Sequence, residues 1–85
     1  MTRDEAIEML CECEHEIMFA DGYDDCIMGI FHGAFDRPAG VVYDMGMIID
    51  KLALEMPVEE AAEFFYYNIE GAYVGEGTPI FVEVW

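Results

Sequence analysis

Acidic residues gather toward the two ends of this 85-residue chain and leave its middle apolar. Residues 26–54 hold 3 of the 19 Asp and Glu residues, whereas residues 1–25 hold 9 and residues 55–85 hold 7. The net charge is −16, yet 55% of the residues are hydrophobic. Disordered acidic segments lack this apolar content. The pattern therefore predicts a single folded domain over residues 1–85, with an acidic surface around an apolar core.

The same charge restricts the partners that the protein can bind. Direct binding to nucleic acid needs Lys and Arg to neutralise phosphates, and this sequence holds 3 of them. An anionic membrane surface is disfavoured for the same reason, and no apolar run approaches the roughly 18 residues of a membrane span. Three cysteines do not suit a closed disulfide framework. We therefore expect a reduced cytoplasmic protein that binds neither nucleic acid directly nor a membrane.

Hydrophobic spacing and turn residues predict an α+β fold with the element order α-β-β-α-α-β. In this fold, about three helices cover one face of a small three-stranded, mostly antiparallel sheet. Strands are expected at residues 27–31, 41–43 and 80–85, and the turn segment 36–40 joins the first two as a hairpin. The third strand then completes the sheet from the far end of the chain.

Capping residues mark the beginnings of the predicted helices. The segment Thr2–Glu5 is a capping box, which predicts a first helix over about residues 3–18. Asp44 suits the N-cap of a second helix. Pro57 is expected to end that helix and to begin the third. The third helix is expected to continue to Gly71.

Four aromatic residues follow one another in the third predicted helix, from Phe64 to Tyr67. Phe64 and Phe65 are expected to enter the core, whereas helical geometry does not allow Tyr66 and Tyr67 to be equally buried. One of these tyrosines, or Tyr73, is a candidate for a partner-binding surface. The alternative is a position at the edge of the core with the hydroxyl in water.

Cys11, Cys13 and His15 raise the question of a metal site, because thiolates and imidazoles are good zinc ligands. On a helix, Cys11 and His15 share a face while Cys13 points elsewhere, and no Cys-x-x-Cys pair occurs. Cys26 or His32 would join the site only if the fold brought them near. The simpler interpretation is a buried Cys13 and a surface His15, and we predict no metal and no cofactor.

Recognisable catalytic signatures are also missing from the sequence. The carboxylates of residues 21–25 lack the ligand spacing of an EF-hand loop and indicate a solvated turn. The glycines of residues 71–77 match neither a Gly-x-Gly-x-x-Gly motif nor a phosphate-binding loop with Lys. No local signature supports a Cys–His nucleophile pair. The sequence therefore predicts a protein that is not an enzyme and has no catalytic residues.

Glu8, Glu12 and Glu16 recur at every fourth position of the first predicted helix, a spacing of about 6 Å. Neighbouring phosphates of a nucleic-acid strand lie a similar distance apart, roughly 6–7 Å. Like charges at this spacing repel each other and destabilise a helix. The sequence therefore keeps three glutamates in spite of their effect on helix stability. One interpretation is a surface that imitates phosphates and occupies a basic cleft on another protein. The other is a face that maintains solubility or suits high salt.

Parts of the sequence resemble a group of small, largely uncharacterised acidic proteins encoded by bacteriophages and prophages. The resemblance covers roughly residues 21–82 and is carried by Asp21–Asp25, Val41–Asp44, Glu59–Ala61 with Phe64, and above all Asn68–Phe81, which reads NIEGAYVGEGTPIF. Pro57 departs from the group, whose members tend to carry Ser or Thr there. The resemblance implies a phage origin and an α+β fold, and it transfers no catalytic residue.

The acidity and the implied phage origin together lead to one functional hypothesis. It is a non-catalytic inhibitor that mimics nucleic acid and occupies a basic cleft on a host protein, such as a defence nuclease, a CRISPR effector or a transcription protein. It would act in the cytoplasm of an infected bacterium. The residues expected to contact the partner are Glu8, Glu12, Glu16, Asp24, Asp25, Glu59, Glu60 and Glu63. The alternative is a homo-oligomeric accessory or structural phage protein that associates through an aromatic interface.

Overall fold

The computed structural model describes residues 1–10, 17–34, 38–72 and 78–84, which form an α+β fold as predicted. The α-helices are α1 (Arg3–Met9), α2 (Met45–Leu52) and α3 (Val58–Phe64), and the strands are β1 (Ile27–Phe31), β2 (Gly40–Asp44) and β3 (Ile80–Val82). Short 3-10 segments lie at Asp24–Cys26 and Glu70–Ala72, and a π-helical segment lies at Phe65–Ile69. The α-helices and strands follow the predicted order, to which these short segments are added.

The three strands form one sheet in the order β1-β2-β3. β1 and β2 pair antiparallel, with Ile30 opposite Val41, which confirms the predicted pairing; the turn residues 35–37 between them lie outside the described part. β2 and β3 pair in parallel, with Tyr43 opposite Phe81, so the sheet is mixed instead of mostly antiparallel. Parallel neighbours need a long crossover connection, and α2 and α3 supply it. β3 ends at residue 82 and is shorter than predicted.

The predicted caps of the first two helices are present. The Glu5 N–H donates to the Thr2 hydroxyl at 3.1 Å, and the Thr2 N–H donates to the Glu5 carboxylate at 3.0 Å. At the start of α2, the Met47 N–H donates to Asp44 Oδ1 at 3.2 Å. Each of these bonds satisfies a backbone donor that has no partner within its own helix.

The first helix begins where it was predicted but ends earlier. It ends at Met9, and residues 17–20 are not helical, so the prediction of a helix as far as Met18 is wrong at this end; residues 11–16 lie outside the described part. Ala20 donates its backbone N–H to the hydroxyl of Tyr43 at 2.9 Å. A buried N–H needs one partner, and here a residue distant in sequence replaces the carbonyl that a helix would offer.

A turn separates α2 from α3. α2 ends at Leu52 and does not continue to Pro57, and the N–H of Glu55 closes the turn by donating to the Leu52 carbonyl at 3.0 Å. Proline disfavours helical backbone in the residue before it, so the helix cannot continue through Met56 into Pro57. Pro57 is the N-cap of α3, at its predicted start. Helical structure then continues through the π-helical and 3-10 segments to Ala72, one residue past the predicted end at Gly71.

Three aromatic rings connect the sheet to the segment that follows α3. The ring of Phe81 stacks on Tyr43 with centroids 5.6 Å apart and meets Phe65 edge-on at 5.1 Å. Tyr43 and Phe65 are fully buried, together with Ile48 and Val41. Among the described residues no charged side chain is buried. The acidic residues that the structure describes therefore lie outside an apolar core, as the sequence predicted.

Candidate partner-binding surface

The structure places six of the eight acidic residues predicted to contact a partner. All six are exposed: Glu8 on α1, Asp24 and Asp25 in the first 3-10 segment, and Glu59, Glu60 and Glu63 on α3. Glu12 and Glu16 lie outside the described residues, so the stripe of three glutamates on the first helix stays a prediction. The six placed residues fall into two groups. Some form an ion pair with a Lys or Arg of the same chain, and the others do not.

Asp24 is held by Arg3, near the start of α1. Nη2 of Arg3 lies 3.1 Å from the carboxylates of both Asp21 and Asp24, and its Nε donates to Asp24 at 3.2 Å. The same guanidinium lies over the ring of Phe19, 4.6 Å from the centroid, within the range of a cation–π interaction. One cation therefore joins α1 to the turn of residues 21–25.

Asp25 is held in a similar way by Lys51 of α2. Nζ of Lys51 lies 2.9 and 3.1 Å from the two carboxylate oxygens and donates to the carbonyl of Gly22 at 3.0 Å. It also lies 5.8 Å from the ring centroid of Tyr23. The hydrogen bond from Lys51 lowers the pKa of Asp25. The predicted solvated turn is therefore tied to two helices, and Asp24 and Asp25 each have a base beside them.

The acidic residues of α3 are in a different situation. Within the described part of the chain, no ion pair involves Glu59, Glu60 or Glu63. Residues 55–85 contain 7 Asp and Glu but no Lys or Arg. Among the residues that the structure describes, no base therefore lies beside these three carboxylates. Among the placed contact residues, Glu8 shares this lack of an ion pair, but the trio lies together on one helix.

Two of these glutamates line an open groove beside the aromatic run. The groove has a volume of about 370 Å³ and is lined by Met56, Glu60, Glu63, Phe64, Tyr67 and Asn68. We call it the α3 groove. Glu59 and Tyr66 are exposed on the same segment but do not line it. The groove combines carboxylates with apolar and aromatic side chains, a mixture that suits a protein partner.

The structure corrects the prediction that Phe64 enters the core. Phe65 is fully buried, whereas Phe64 is 40% exposed and forms part of the α3 groove. Tyr66 is 51% and Tyr67 80% exposed, so these two are unequally accessible, as helical geometry required, although neither is buried. The buried positions follow a spacing of four residues through Ala61, Phe65 and Ile69. Phe64 lies one position before Phe65 and outside that stripe.

The exposed tyrosines lie in the π-helical segment Phe65–Ile69. Its hydrogen bonding widens by one residue, since the Glu70 N–H donates to the carbonyl of Phe65, five positions earlier, as well as to that of Tyr66. Single π-helical turns are uncommon in proteins, and those that occur are often found at functional sites. The backbone irregularity therefore coincides with the most exposed aromatic ring of the segment, that of Tyr67.

Sequence reasoning named Glu60 and Glu63 but did not join them to Phe64 and Tyr67. A usable signal was present, because residues at i, i+4 and i+7 of a helix share a face, and Glu60, Phe64 and Tyr67 have that spacing. Asn68 continues the same spacing four positions after Phe64, whereas Met56 lies before Pro57 and carried no comparable signal. They reach the groove through the turn before α3 and the π-helical segment after it.

The described residues give no support to metal or thiol chemistry. Among them, no three His, Cys, Asp or Glu side chains lie close enough together to hold a metal ion, and Cys11, Cys13 and His15 are outside the described part. Cys26 is buried, and its burial, with a smaller effect of Asp25, raises the pKa of its thiol to about 11. A protonated, buried thiol is a poor nucleophile.

None of the described helices is both long enough and apolar enough to cross a membrane. No protein-family model, curated protein or solved structure matches the chain. The exposed carboxylates and aromatic rings of α3 and the segment that follows it are the surface features that bear on function.

Proposed function

We propose that this protein is a non-catalytic, phage-encoded inhibitor that mimics nucleic acid and occupies a basic cleft on a host nucleic-acid-binding protein. Defence nucleases, CRISPR effectors and transcription proteins are the classes of partner considered. The observation that carries the proposal is the trio Glu59, Glu60 and Glu63, which is exposed on α3 with no basic partner among the described residues.

The physical basis of the proposal is charge complementarity. A chain with a net charge of −16 attracts a basic surface over long distances and raises the rate of encounter with it. Carboxylates in the cleft would pair with the Lys and Arg side chains that otherwise neutralise phosphates. The internal ion pairs of Arg3 and Lys51 reduce the contribution expected from Asp24 and Asp25, so α3 becomes the principal contact element.

The proposal is tested by capture from a bacterial lysate with competition. The immobilised full chain is incubated with lysate, and bound proteins are eluted with duplex DNA or RNA and identified by mass spectrometry. We expect basic nucleic-acid-binding proteins that competing nucleic acid releases and that rising salt weakens. A partner that nucleic acid does not displace, at any salt concentration, contradicts the proposal.

A matched pair of variants assigns the contact to α3. The triple variant Glu59→Gln, Glu60→Gln, Glu63→Gln is expected to lose most of the capture. The control Asp50→Asn, Glu55→Gln, Glu83→Gln removes the same number of exposed charges elsewhere and is expected to retain it. Equal losses in both would show that the total charge, and not α3, determines binding.

A homo-oligomeric accessory or structural phage protein is the second candidate. The observation that favours it is the exposure of large apolar side chains, with Leu54 at 84%, Tyr67 at 80% and Val58 at 55%. Light scattering across a range of salt separates the two candidates. An aromatic interface between copies persists in high salt, whereas a mimic stays monomeric until its basic partner is added.

A further inference from the structure

We propose that the α3 groove binds an arginine side chain of the partner, with the guanidinium lying on the ring of Tyr67 and paired with Glu60 or Glu63. This inference rests on the proposed function and specifies the partner's chemistry as an arginine-bearing protein segment. The groove volume of about 370 Å³ is near the lower end for ligand pockets and suits the end of one or two side chains.

The lining of the groove distinguishes arginine from lysine. Arginine has a planar group that stacks on aromatic faces and pairs with a carboxylate through two parallel hydrogen bonds. Lysine offers a compact, strongly hydrated charge that gains less from a ring. Tyr67 is 80% exposed and Phe64 40%, so aromatic surface is available next to Glu60 and Glu63. The groove therefore offers both of the contacts that arginine combines.

The same combination binds cations elsewhere in this molecule. Arg3 pairs with Asp21 and Asp24 and lies 4.6 Å from the ring centroid of Phe19. Lys51 pairs with Asp25 at 2.9 Å and lies at the longer distance of 5.8 Å from the ring of Tyr23. In both cases a carboxylate and a ring hold one base. The α3 groove is lined by the same two kinds of side chain, carboxylates and aromatic rings, and no base pairs with them among the described residues.

Charge complementarity indicates that the occupant comes from another molecule. Residues 55–85 contain no Lys or Arg, and the described bases Arg3 and Lys51 are engaged at the turn of residues 21–25. Two copies of so acidic a chain would repel each other at this face. A basic segment of a different protein would complement the groove, which Tyr67 lines together with Glu60 and Glu63.

The probe for this proposal is a pair of labelled peptides of equal length and charge, one of alternating Arg and Gly and one of alternating Lys and Gly. Binding to the full chain is measured by fluorescence anisotropy at about 0.15 M salt. We expect the Arg peptide to bind several-fold more tightly than the Lys peptide. Tyr67→Ala is expected to weaken binding of the Arg peptide by about 3- to 10-fold and to change binding of the Lys peptide less.

Each groove variant has a neighbouring control outside the groove. Tyr66→Ala removes an exposed tyrosine that does not line the groove, and Glu70→Gln removes an exposed carboxylate that does not line it. Glu60→Gln and Glu63→Gln are expected to weaken binding of the Arg peptide by about 3- to 10-fold each, and both controls by less than about 2-fold. Circular dichroism confirms that every variant is folded.

The outcomes separate this inference from the proposed function. Equal binding of the two peptides, with equal effects of Glu70→Gln and Glu63→Gln, overturns the arginine site and leaves the diffuse acidic mimic intact. Preference for the Arg peptide that depends on Tyr67 supports the groove. If that preference holds while nucleic acid fails to displace the captured host protein, the groove stands and the mimicry is wrong.

Discussion

The buried backbone N–H of Ala20 donates to the hydroxyl of Tyr43 at 2.9 Å, which links the segment after α1 to the central strand β2. Ala20 is 1% exposed and Tyr43 is fully buried, so water cannot serve as a hydrogen-bond partner for either group. We therefore expect Tyr43→Phe to lower the free energy of unfolding by roughly 1–3 kcal/mol, because the N–H loses this partner while buried. Urea denaturation measures the change.

Tyr67→Phe is the control for this prediction, since it removes the hydroxyl of a tyrosine that is 80% exposed. It should leave the free energy of unfolding nearly unchanged. The ring contact of Tyr43 with Phe81 survives in Tyr43→Phe, so a loss can be assigned to the hydroxyl. Equal stability of the two variants would argue against the bond to Ala20.

Lys51→Met should make the stability of the protein less dependent on acid pH. Lys51 lowers the pKa of Asp25 from its ordinary value of 3.8. A carboxyl group whose pKa is lower in the folded than in the unfolded state stabilises the fold above the unfolded pKa, and the effect disappears as the pH falls through the folded pKa. The wild type should therefore be more stable than Lys51→Met at pH 7, and the difference should shrink below about pH 4.

Thermal unfolding of both proteins across this pH range measures the effect, and an NMR titration should show a higher pKa for Asp25 in Lys51→Met. Lys51→Arg retains the cation and should behave like the wild type. A difference between wild type and Lys51→Met that stays constant from pH 7 to pH 3 would mean that the ion pair is not its source.

Added salt should raise the melting temperature, in spite of the ion pairs of Arg3 and Lys51. The chain carries 19 acidic and 3 basic residues, so repulsion outweighs attraction in the folded state. From about 0.01 M to about 1 M NaCl the screening length falls from about 30 Å to about 3 Å, which weakens that repulsion. Differential scanning calorimetry should record a smaller rise for Asp50→Asn, Glu55→Gln, Glu83→Gln. A melting temperature that falls with salt would show that the ion pairs dominate.

Gly40→Ala should destabilise the fold, because a Cβ at this position would lie 2.9 Å from the backbone carbonyl oxygen of Thr78. Relieving that clash must shift the start of β2 or the chain that leads into β3, at a cost of roughly 1–3 kcal/mol. Gly29→Ala is the matched control in β1, where no heavy atom lies within 4 Å of the added Cβ. Chemical denaturation of both variants checks the prediction, and a loss of similar size in Gly29→Ala would contradict it.

The features that were predictable from sequence are those fixed by near neighbours. The capping residues Thr2 and Asp44 act on backbone groups three residues away, and β1 has the predicted bounds. The non-helical course of residues 17–20 was not predictable, because Ala20 finds its partner in Tyr43, 23 residues later. Local patterns hold no information about such a contact. The parallel placement of β3 was missed for the same reason.

The candidate site was predictable in part. Exposure of Glu59, Glu60 and Glu63 followed from charge and helical position, and it is confirmed. The exposed Phe64 was not expected, since hydrophobicity alone assigns a phenylalanine to the core. Its position depends on which stripe of the helix faces the sheet, and Phe65 occupies that stripe through its contact with Phe81.

The parallel pairing of β2 with β3 has a consequence for the order of folding. Tyr43 and Phe81 are paired in the sheet and lie 38 positions apart in the sequence (81 − 43). Their contact therefore requires a large loop to close, whereas the hairpin of β1 and β2 closes a short one. We infer that the hairpin and α2 form early and that β3 docks late, completing the aromatic cluster in the last step. Phe81→Leu should then accelerate unfolding while hardly slowing refolding in stopped-flow experiments; a marked loss of refolding rate would place β3 in the transition state instead.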